Sequence, residues 1–159
     1  MKLAIAWMAA AALVGPIGQA AGQSHAKDPF LGTWLLDADQ SKFVPGPVPQ
    51  DRTMIFKEEK DGAQRHLTKT PNLFLSATDD IDYTAKFDGK DYPITGTGLD
   101  TVSLKRIDSH TIERTGKVRG KVTETCTMKV SPDGKTLTLT IKGDFNGTDY
   151  SSVQVFHRE

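Results

Sequence analysis

Polar and aliphatic side chains alternate without a break in Thr136-Leu137-Thr138-Leu139-Thr140-Ile141. Successive side chains of a β-strand point to opposite faces, so this order places three aliphatic residues on one face and three threonines on the other. The pattern indicates a strand with one buried and one solvated side. It also restricts which neighbouring strand can pair with it.

A second alternating segment, residues 121–130, lies directly before the first. Cys126, Met128 and Val130 share one face with Val122 and Glu124, whereas threonines dominate the other face. A loop with an even number of residues around Asp133-Gly134 sets aliphatic side chains against each other, while an odd loop would oppose them to threonines. We therefore predict the pairs Val130 with Leu137, Met128 with Leu139, and Cys126 with Ile141.

The hairpin before residue 121 has two possible registers. A three-residue loop, Val118-Arg119-Gly120, sets Ile112 opposite Cys126 and Arg114 opposite Glu124. A two-residue loop, Arg119-Gly120, shifts this pairing by one and is the competing arrangement. In the first register an arginine and a glutamate face each other on an otherwise apolar inner face.

Turn sequences such as Asp-Gly and Asn-Gly divide the rest of the chain into short segments without a sustained helical period. Residues 37–43 could form one helical turn, and the proline-rich residues 44–49 predict a stiff strap across one end of the fold. These features predict an all-β fold, an antiparallel up-and-down β-barrel of about 8–10 strands. The predicted strands are 32–36, 52–59, 63–70, 81–87, 91–95, 101–107, 111–115, 121–130, 136–142 and 150–158, with a weaker one at 73–77.

The N-terminus has the features of an export signal. Lys2 is followed by apolar residues 3–14, by the helix-breaking Gly15-Pro16 and by Gly18-x-Ala20, which suits a signal peptidase. A cut after Ala26 is the alternative, and the apolar run is shorter than the ~20 residues of a spanning helix. We predict a cleaved signal peptide at 1–20, a single domain at 21–159, no membrane anchor, and a periplasmic or secreted location.

Charge and cysteine content argue against several classes of partner and cross-link. Removal of residues 1–20 leaves 19 basic and 20 acidic side chains, a net charge of −1, so nothing favours nucleic acid or an anionic membrane as partner. Cys126 is the single cysteine, so an intramolecular disulfide cannot form. Its aliphatic neighbours predict a buried, unreactive thiol.

Four segments together resemble a known group of proteins. They are Gly32-Thr33-Trp34-Leu35-Leu36, Ser41-Lys42-Phe43-Val44-Pro45-Gly46-Pro47, Asp91-Tyr92-Pro93-Ile94-Thr95-Gly96 and Thr101-Val102-Ser103-Leu104-Lys105-Arg106-Ile107. In them the chain resembles small exported bacterial proteins of lipocalin-like type, within the calycin superfamily. The resemblance implies a barrel like those of lipocalins and fatty-acid-binding proteins, and it brings no established ligand. It also implies that Gly32 and Trp34 close one end of the barrel, with Trp34 packed beneath a basic residue of the last strand, Arg158.

The function expected from this fold is binding of a small apolar or amphipathic ligand of fatty-acid type. Candidate ligand-binding residues are Arg114, Glu124 and Met128. Arg114 would offer its guanidinium fork to a ligand carboxylate, and Glu124 would hold that fork in place. A buried structural ion pair is the other interpretation of the two charges. A barrel filled by side chains, with a structural or protein-interaction role, is the alternative function.

Catalytic, cofactor and metal sites have no visible motif in the sequence. None of the four histidines has another histidine or a cysteine two or four residues away, the spacing of a metal site. We therefore expect no cofactor and no enzymatic activity. We also expect a monomer. A haem or zinc site built on His66, His110 or His157, or an enzyme of calycin type, is a further alternative.

Overall fold

The computed structural model describes residues 27–71 and 80–159. The predicted signal peptide at 1–20 and the predicted strand at 73–77 lie outside these residues. A short 3-10 helix, Lys60–Gly62, joins the second strand to the third. The strands are β1 (Gly32–Val44), β2 (Thr53–Glu58), β3 (Gln64–Lys69), β4 (Ile81–Ala85), β5 (Tyr92–Pro93), β6 (Thr101–Asp108), β7 (Thr111–Val118), β8 (Lys121–Val130), β9 (Thr136–Phe145) and β10 (Thr148–Arg158).

The ten strands form one antiparallel sheet in the order β4-β3-β2-β1-β10-β9-β8-β7-β6-β5. Neighbours in the sheet are neighbours along the chain, except that β1 pairs with β10. The edge strands β4 and β5 approach each other where Asp82 and Thr95 exchange backbone hydrogen bonds of 3.3 and 3.1 Å. The sheet is thus an almost closed up-and-down barrel, which confirms the predicted fold class. No helix in the described residues is long and apolar enough to cross a membrane.

The predicted register of β8 and β9 is confirmed. Val130 pairs with Leu137, Met128 with Leu139, and Cys126 with Ile141. The predicted burial of Cys126 is also confirmed, and burial raises the pKa of its thiol to about 11. Alternation predicted this hairpin because one of its faces is dry, so a slip of one residue would bury a row of threonines.

The three-residue loop predicted between β7 and β8 is wrong, and the competing two-residue turn forms instead, although neither loop alone gives the observed register. Arg119 and Gly120 form a two-residue turn with φ of 49° and 76°, and a bulge at Thr123 then shifts the ladder once more. As a result Arg114 pairs with Cys126, and Ile112 pairs with Met128. Together the turn and the bulge shift the pairing by two residues. An even shift leaves each side chain opposite residues of the same face, so Arg114 still points inward.

The bulge also reverses the expected position of Val122. This residue was assigned to the inner face, but it pairs with Lys117 on the far side of the bulge and is 50% exposed. A single extra residue in one strand turns the side chains beyond it to the opposite face.

The expected helical turn at 37–43 is also wrong, because β1 continues to Val44 with an irregular stretch between Asp37 and Lys42. Asp37 accepts a hydrogen bond of 3.0 Å from the backbone of Gln40. The Ser41 hydroxyl donates to the Asp37 carbonyl at 2.6 Å and accepts from the Val155 backbone N–H at 3.0 Å. Ser41 therefore replaces a backbone partner where the ladder is interrupted.

Side chains fill the interior unevenly. Fully buried residues crowd the end that contains the chain entry at Phe30, the β8–β9 turn and the C-terminus. We call this part the filled layer; it comprises Phe30, Trp34, Phe56, Leu104, Ile112, Met128, Leu137 and Phe156. The opposite end carries the β5–β6 loop and the β7–β8 and β9–β10 turns, and we call it the open end.

A candidate ligand-binding cavity at the open end

The closed end of the barrel is built around Trp34. The guanidinium carbon of Arg158 lies 4.1 Å from the Trp34 ring centroid, and the Trp34 indole donates a 2.8 Å hydrogen bond to the Phe30 carbonyl. Arg158 also donates to the carbonyls of Leu31 at 2.7 Å and Pro29 at 2.5 Å. These contacts hold residues 29–31 across the filled layer. A ligand therefore cannot enter the barrel past Trp34 at the closed end.

Gly32 makes this arrangement possible. Its φ of +127° lies outside the range that other residues adopt readily, and a Cβ at this position would come within 2.8 Å of the Arg158 guanidinium. The Gly-x-Trp pattern therefore combines an unusual backbone conformation with space for a cation over the indole ring. The structure places the three residues Gly32, Trp34 and Arg158 together at this end.

A cavity of about 250 Å³ occupies the interior on the open side of the filled layer. Its apolar walls come from strands on several sides of the barrel, and a small number of polar groups interrupt them. Ligand pockets have this composition, although the volume lies just below their usual range of roughly 300 to 1,000 Å³. The main apolar lining residues are Phe43, Met54, Ile81, Ile94, Leu99, Leu139 and Ile141, and the main polar ones are Arg52, Thr68, Arg114, Glu124, Tyr150, Ser152 and Gln154.

A second hollow of about 480 Å³ continues from this cavity towards solvent. It is bordered by the β5–β6 loop, the β7–β8 turn and the β9–β10 turn, and we call it the mouth. The cavity and the mouth share Thr97, Leu99, Glu124 and Tyr150. A molecule too long for the cavity could therefore extend past these residues into the mouth.

Glu124 and Tyr150 lie on one row across the barrel wall, in which Glu124 pairs with Gly143 and Gly143 pairs with Tyr150. The tyrosine ring packs directly on Gly143, where a Cβ would meet it at 2.4 Å. This close approach lets the Tyr150 hydroxyl donate a 2.7 Å hydrogen bond to Glu124. Burial, and then the bond to this carboxylate, raise the pKa of Tyr150 well above its ordinary value, so it remains a neutral donor.

Arg114 and Glu124 form a buried ion pair within the cavity wall. The Arg114 side chain is 9% exposed and that of Glu124 11%, and an Nη2–H of Arg114 donates to Glu124 Oε1. They are diagonal neighbours rather than the directly opposed pair that was predicted, because the bulge moves Cys126 opposite Arg114. Burial opposes the charge of Arg114, but the Tyr83 hydroxyl, the Cys126 thiol and the Glu124 carboxylate beside it outweigh burial and raise its pKa above the ordinary value.

Met128 does not line the cavity. It is fully buried in the filled layer, where it pairs with Ile112 on one side and Leu139 on the other. It lies two residues further along β8 than Cys126 and is thus closer to the closed end. The same inward face of β8 therefore carries cavity residues at one end and packed residues at the other.

Arg52 is a cavity residue that the sequence interpretation did not single out. It precedes β2, donates through Nε to the Thr70 hydroxyl at 3.0 Å and through Nη1 to Gln154 Oε1 at 2.8 Å, and lies 5.5 Å from the Phe43 ring centroid. Burial lowers the pKa of this guanidinium. An arginine after a proline-rich strap carries no signal that it points inward, since strand ends at a barrel rim are commonly charged.

The histidines that were candidates for haem or zinc do not line the cavity. His66 is buried in the interior, and its Nδ1 lies 2.7 Å from the Tyr83 hydroxyl. His110 and His157 lie at the closed end, where His157 contacts Asp37 at 3.0 Å. Among residues 27–71 and 80–159, no three His, Cys, Asp or Glu side chains are grouped so as to hold a metal ion.

His66 is the buried base of the interior. Burial, and then the positive charges of Arg114 and Arg106, lower its pKa well below the usual 6.5. His66 is therefore protonated below about pH 6.5 in the unfolded chain, whereas in the folded chain it stays neutral to a lower pH. The contribution of His66 to the free energy of unfolding is fully present above this pH. It falls as the pH decreases, by up to about 1.4 kcal/mol per pH unit.

We expect His66→Gln to reduce the loss of unfolding free energy between about pH 6.5 and pH 5, measured by urea denaturation at each pH. The histidine contribution to the slope disappears because glutamine does not titrate. His110→Gln, at the β6–β7 turn, is the matched control and should keep the parental slope. Identical slopes for parent and His66→Gln would show that His66 is not the source of this pH dependence.

Several known structures share this fold. The chain is similar to the fluorescent protein UnaG, at 14% identity and a TM-score of 0.55 over 82% of this chain and 97% of that one. It is also similar to zebrafish ileal bile acid-binding protein, crystallised with cholic acid, at 10% identity and a TM-score of 0.55 over 82% of this chain and 99% of that one. The fold is that of the fatty-acid-binding-protein and lipocalin-like barrels. No family model and no curated protein matches the sequence.

Proposed function

We propose that this protein is an exported lipocalin-like barrel that binds one small apolar or amphipathic molecule in the open-end cavity. The observation that carries the proposal is the uneven interior: one end is packed, and the other holds a cavity that continues into the mouth. A barrel with a purely structural role has no need of this second region, because filling it would add stability.

The composition of the cavity supports the same function. Aliphatic side chains such as Ile94, Leu139 and Ile141 supply most of its surface, and a few charged or hydroxyl groups supply direction. The zebrafish protein of similar fold was crystallised with cholic acid, a molecule with an apolar body and an acidic group. Arg114 and Glu124 contribute polar groups to the wall of this cavity, whereas Met128 is no longer part of the proposal because it packs in the filled layer.

Binding can be tested with a cavity-filling variant and a matched control on the same strand. Ile141 lines the cavity, while Thr140 is exposed on the outer face of β9. We expect Ile141→Phe to weaken binding of the neutral probe N-phenylnaphthylamine about tenfold, since loss of roughly 50 Å² of apolar contact has this effect. Thr140→Phe should bind the probe like the parent protein, as measured by fluorescence titration.

Two outcomes would contradict the proposal. The parent protein could fail to bind this probe or medium-chain fatty acids at all, which would favour the filled barrel with a structural or protein-interaction role. The two phenylalanine variants could instead bind equally well, which would place the probe outside the cavity.

Export rests on the N-terminal sequence. Lys2, the apolar residues 3–14 and Ala20 support a cleavable signal, and the mature protein would then act as a monomer in the periplasm or outside the cell. Sequencing of the mature N-terminus should find a start near Ala21 or near Lys27. Mature protein that still begins at Met1 would contradict this part of the proposal.

A further inference from the structure

We propose that Arg52 is the anion anchor of the cavity, and that the ligand is an amphipathic monoanion of carboxylate type. This inference rests on the ligand-binding function proposed above and names the chemical class of the ligand. The sequence had assigned the anchoring role to Arg114. The contacts of the two arginines in the structure reverse that assignment.

The charges that line the cavity do not balance. Two guanidinium groups, Arg52 and Arg114, face one carboxylate, Glu124. Glu124 is already bonded to Arg114 and to the Tyr150 hydroxyl. Among the described lining residues one positive charge therefore remains, and it belongs to Arg52.

Within the part of the chain that the structure describes, the hydrogen-bond partners of Arg52 are all neutral. Its two side-chain hydrogen bonds go to the Thr70 hydroxyl and to the Gln154 amide oxygen, and within residues 27–71 and 80–159 it forms no ion pair. Those bonds use two of the five N–H donors of a guanidinium. The remaining donors are the groups to which a carboxylate binds best.

The guanidinium is also held in position before any ligand arrives. Gln154 is 4% exposed, accepts from Arg52 and donates to Ser152 Oγ at 3.0 Å, so the amide that orients Arg52 is itself fixed. A half-buried cation without a counter-ion is costly for the empty protein, and an anionic ligand removes this cost on binding. Phe43, Met54 and Ile81 line the same cavity and provide an apolar surface for the remainder of the molecule.

The experiment compares decanoate with decanol, which differ in charge but share an apolar chain. We expect parent protein to bind decanoate about 10- to 100-fold more tightly than decanol in isothermal titration calorimetry, as a charge-assisted hydrogen bond implies. Arg52→Met should abolish this preference while still binding decanol. Arg52→Lys, which keeps the charge but loses the fork, should retain part of the preference.

Two further variants separate the anchor from its surroundings. Lys57→Met removes an exposed cation from β2, the strand that follows Arg52, and should leave the preference unchanged. The double variant Arg114→Met/Glu124→Leu removes the ion pair, and we expect any change in affinity to be the same for both ligands. The ratio of the two affinities therefore distinguishes Arg52 from Arg114.

The outcomes separate this inference from the function on which it rests. Binding of neither ligand to the parent protein would overturn the proposed function itself. Equal affinity for decanol and decanoate in the parent, or a preference that survives in a folded Arg52→Met protein, would overturn the anchor and leave an apolar binding barrel. Loss of the preference in the double variant alone would return the anchoring role to Arg114.

Discussion

Replacement of Trp34 by alanine should lower the free energy of unfolding by about 3 to 5 kcal/mol, the cost of removing a fully buried aromatic side chain. The indole fills the closed end, bonds the Phe30 carbonyl and supports the Arg158 guanidinium. Its loss leaves a cavity that the surrounding side chains can fill only in part, because the strands of a nearly closed barrel have little freedom to move inward. Guanidinium chloride denaturation of protein that lacks residues 1–20 measures the change directly.

Leu35→Ala is the matched control for this experiment. Leu35 lies next to Trp34 on β1, is 44% exposed and should cost below about 1 kcal/mol. Removal of residues 1–20 removes Trp7, so Trp34 is then the sole tryptophan and its emission reports burial directly. An emission spectrum like that of free tryptophan, or a loss below about 1 kcal/mol in Trp34→Ala, would contradict its proposed closing role.

Glu124→Leu should destabilise the protein by about 3 to 5 kcal/mol, because it leaves the buried Arg114 charge without its carboxylate. It also removes the acceptor of the Tyr150 hydroxyl. The double variant Arg114→Met/Glu124→Leu should recover most of this loss, since an ion pair replaced by apolar side chains of similar size often costs little. Urea denaturation of the parent, both single variants and the double variant gives the coupling energy.

The exposed pair Lys117 and Asp91 provides the comparison. Its atoms approach to 2.8 Å, but its side chains are 24% and 41% exposed, so Asp91→Asn should cost no more than about 1 kcal/mol. A similar small loss in Glu124→Leu would show that solvent screens the Arg114 charge. The pair would then be an ordinary surface ion pair, and the cavity wall would be wetter than its burial indicates.

Strand faces were predictable wherever one side of a strand is uniformly apolar. Residues 136–141 admit one register against Cys126, Met128 and Val130, and the structure has that register. The β7–β8 hairpin was less predictable, because a bulge adds one residue at Thr123 without any change in composition that marks it. Contact between Arg114 and Glu124 survives this error, since the turn and the bulge each shift the pairing by one residue.

The candidate site was predictable in part. Arg114 and Glu124 stood out because charges on an apolar face require partners. Met128 lies on the same face of β8 as Glu124, and alternation therefore grouped the two together. It lies among packed side chains, which was not predictable, because alternation gives the face of a residue but not its depth along the barrel. Arg52 carried no pattern at all, and its position depends on Thr70 and on Gln154, which is distant along the chain.

Local periodicity alone thus determined the antiparallel up-and-down order, the faces of most strands and the β8–β9 pairing, because each follows from the two-residue repeat of an extended chain and from turn chemistry. The tertiary structure alone decided where the interior is filled, where the cavity of about 250 Å³ remains, and which cavity arginine has no carboxylate partner among the described residues. Those properties depend on volumes and distances summed across the barrel from strands far apart in the chain. A charge is neutralised by whatever side chain lies opposite it in space. For Arg114 that is Glu124, while the hydrogen-bond partners of Arg52 among the described residues are the neutral Thr70 and Gln154.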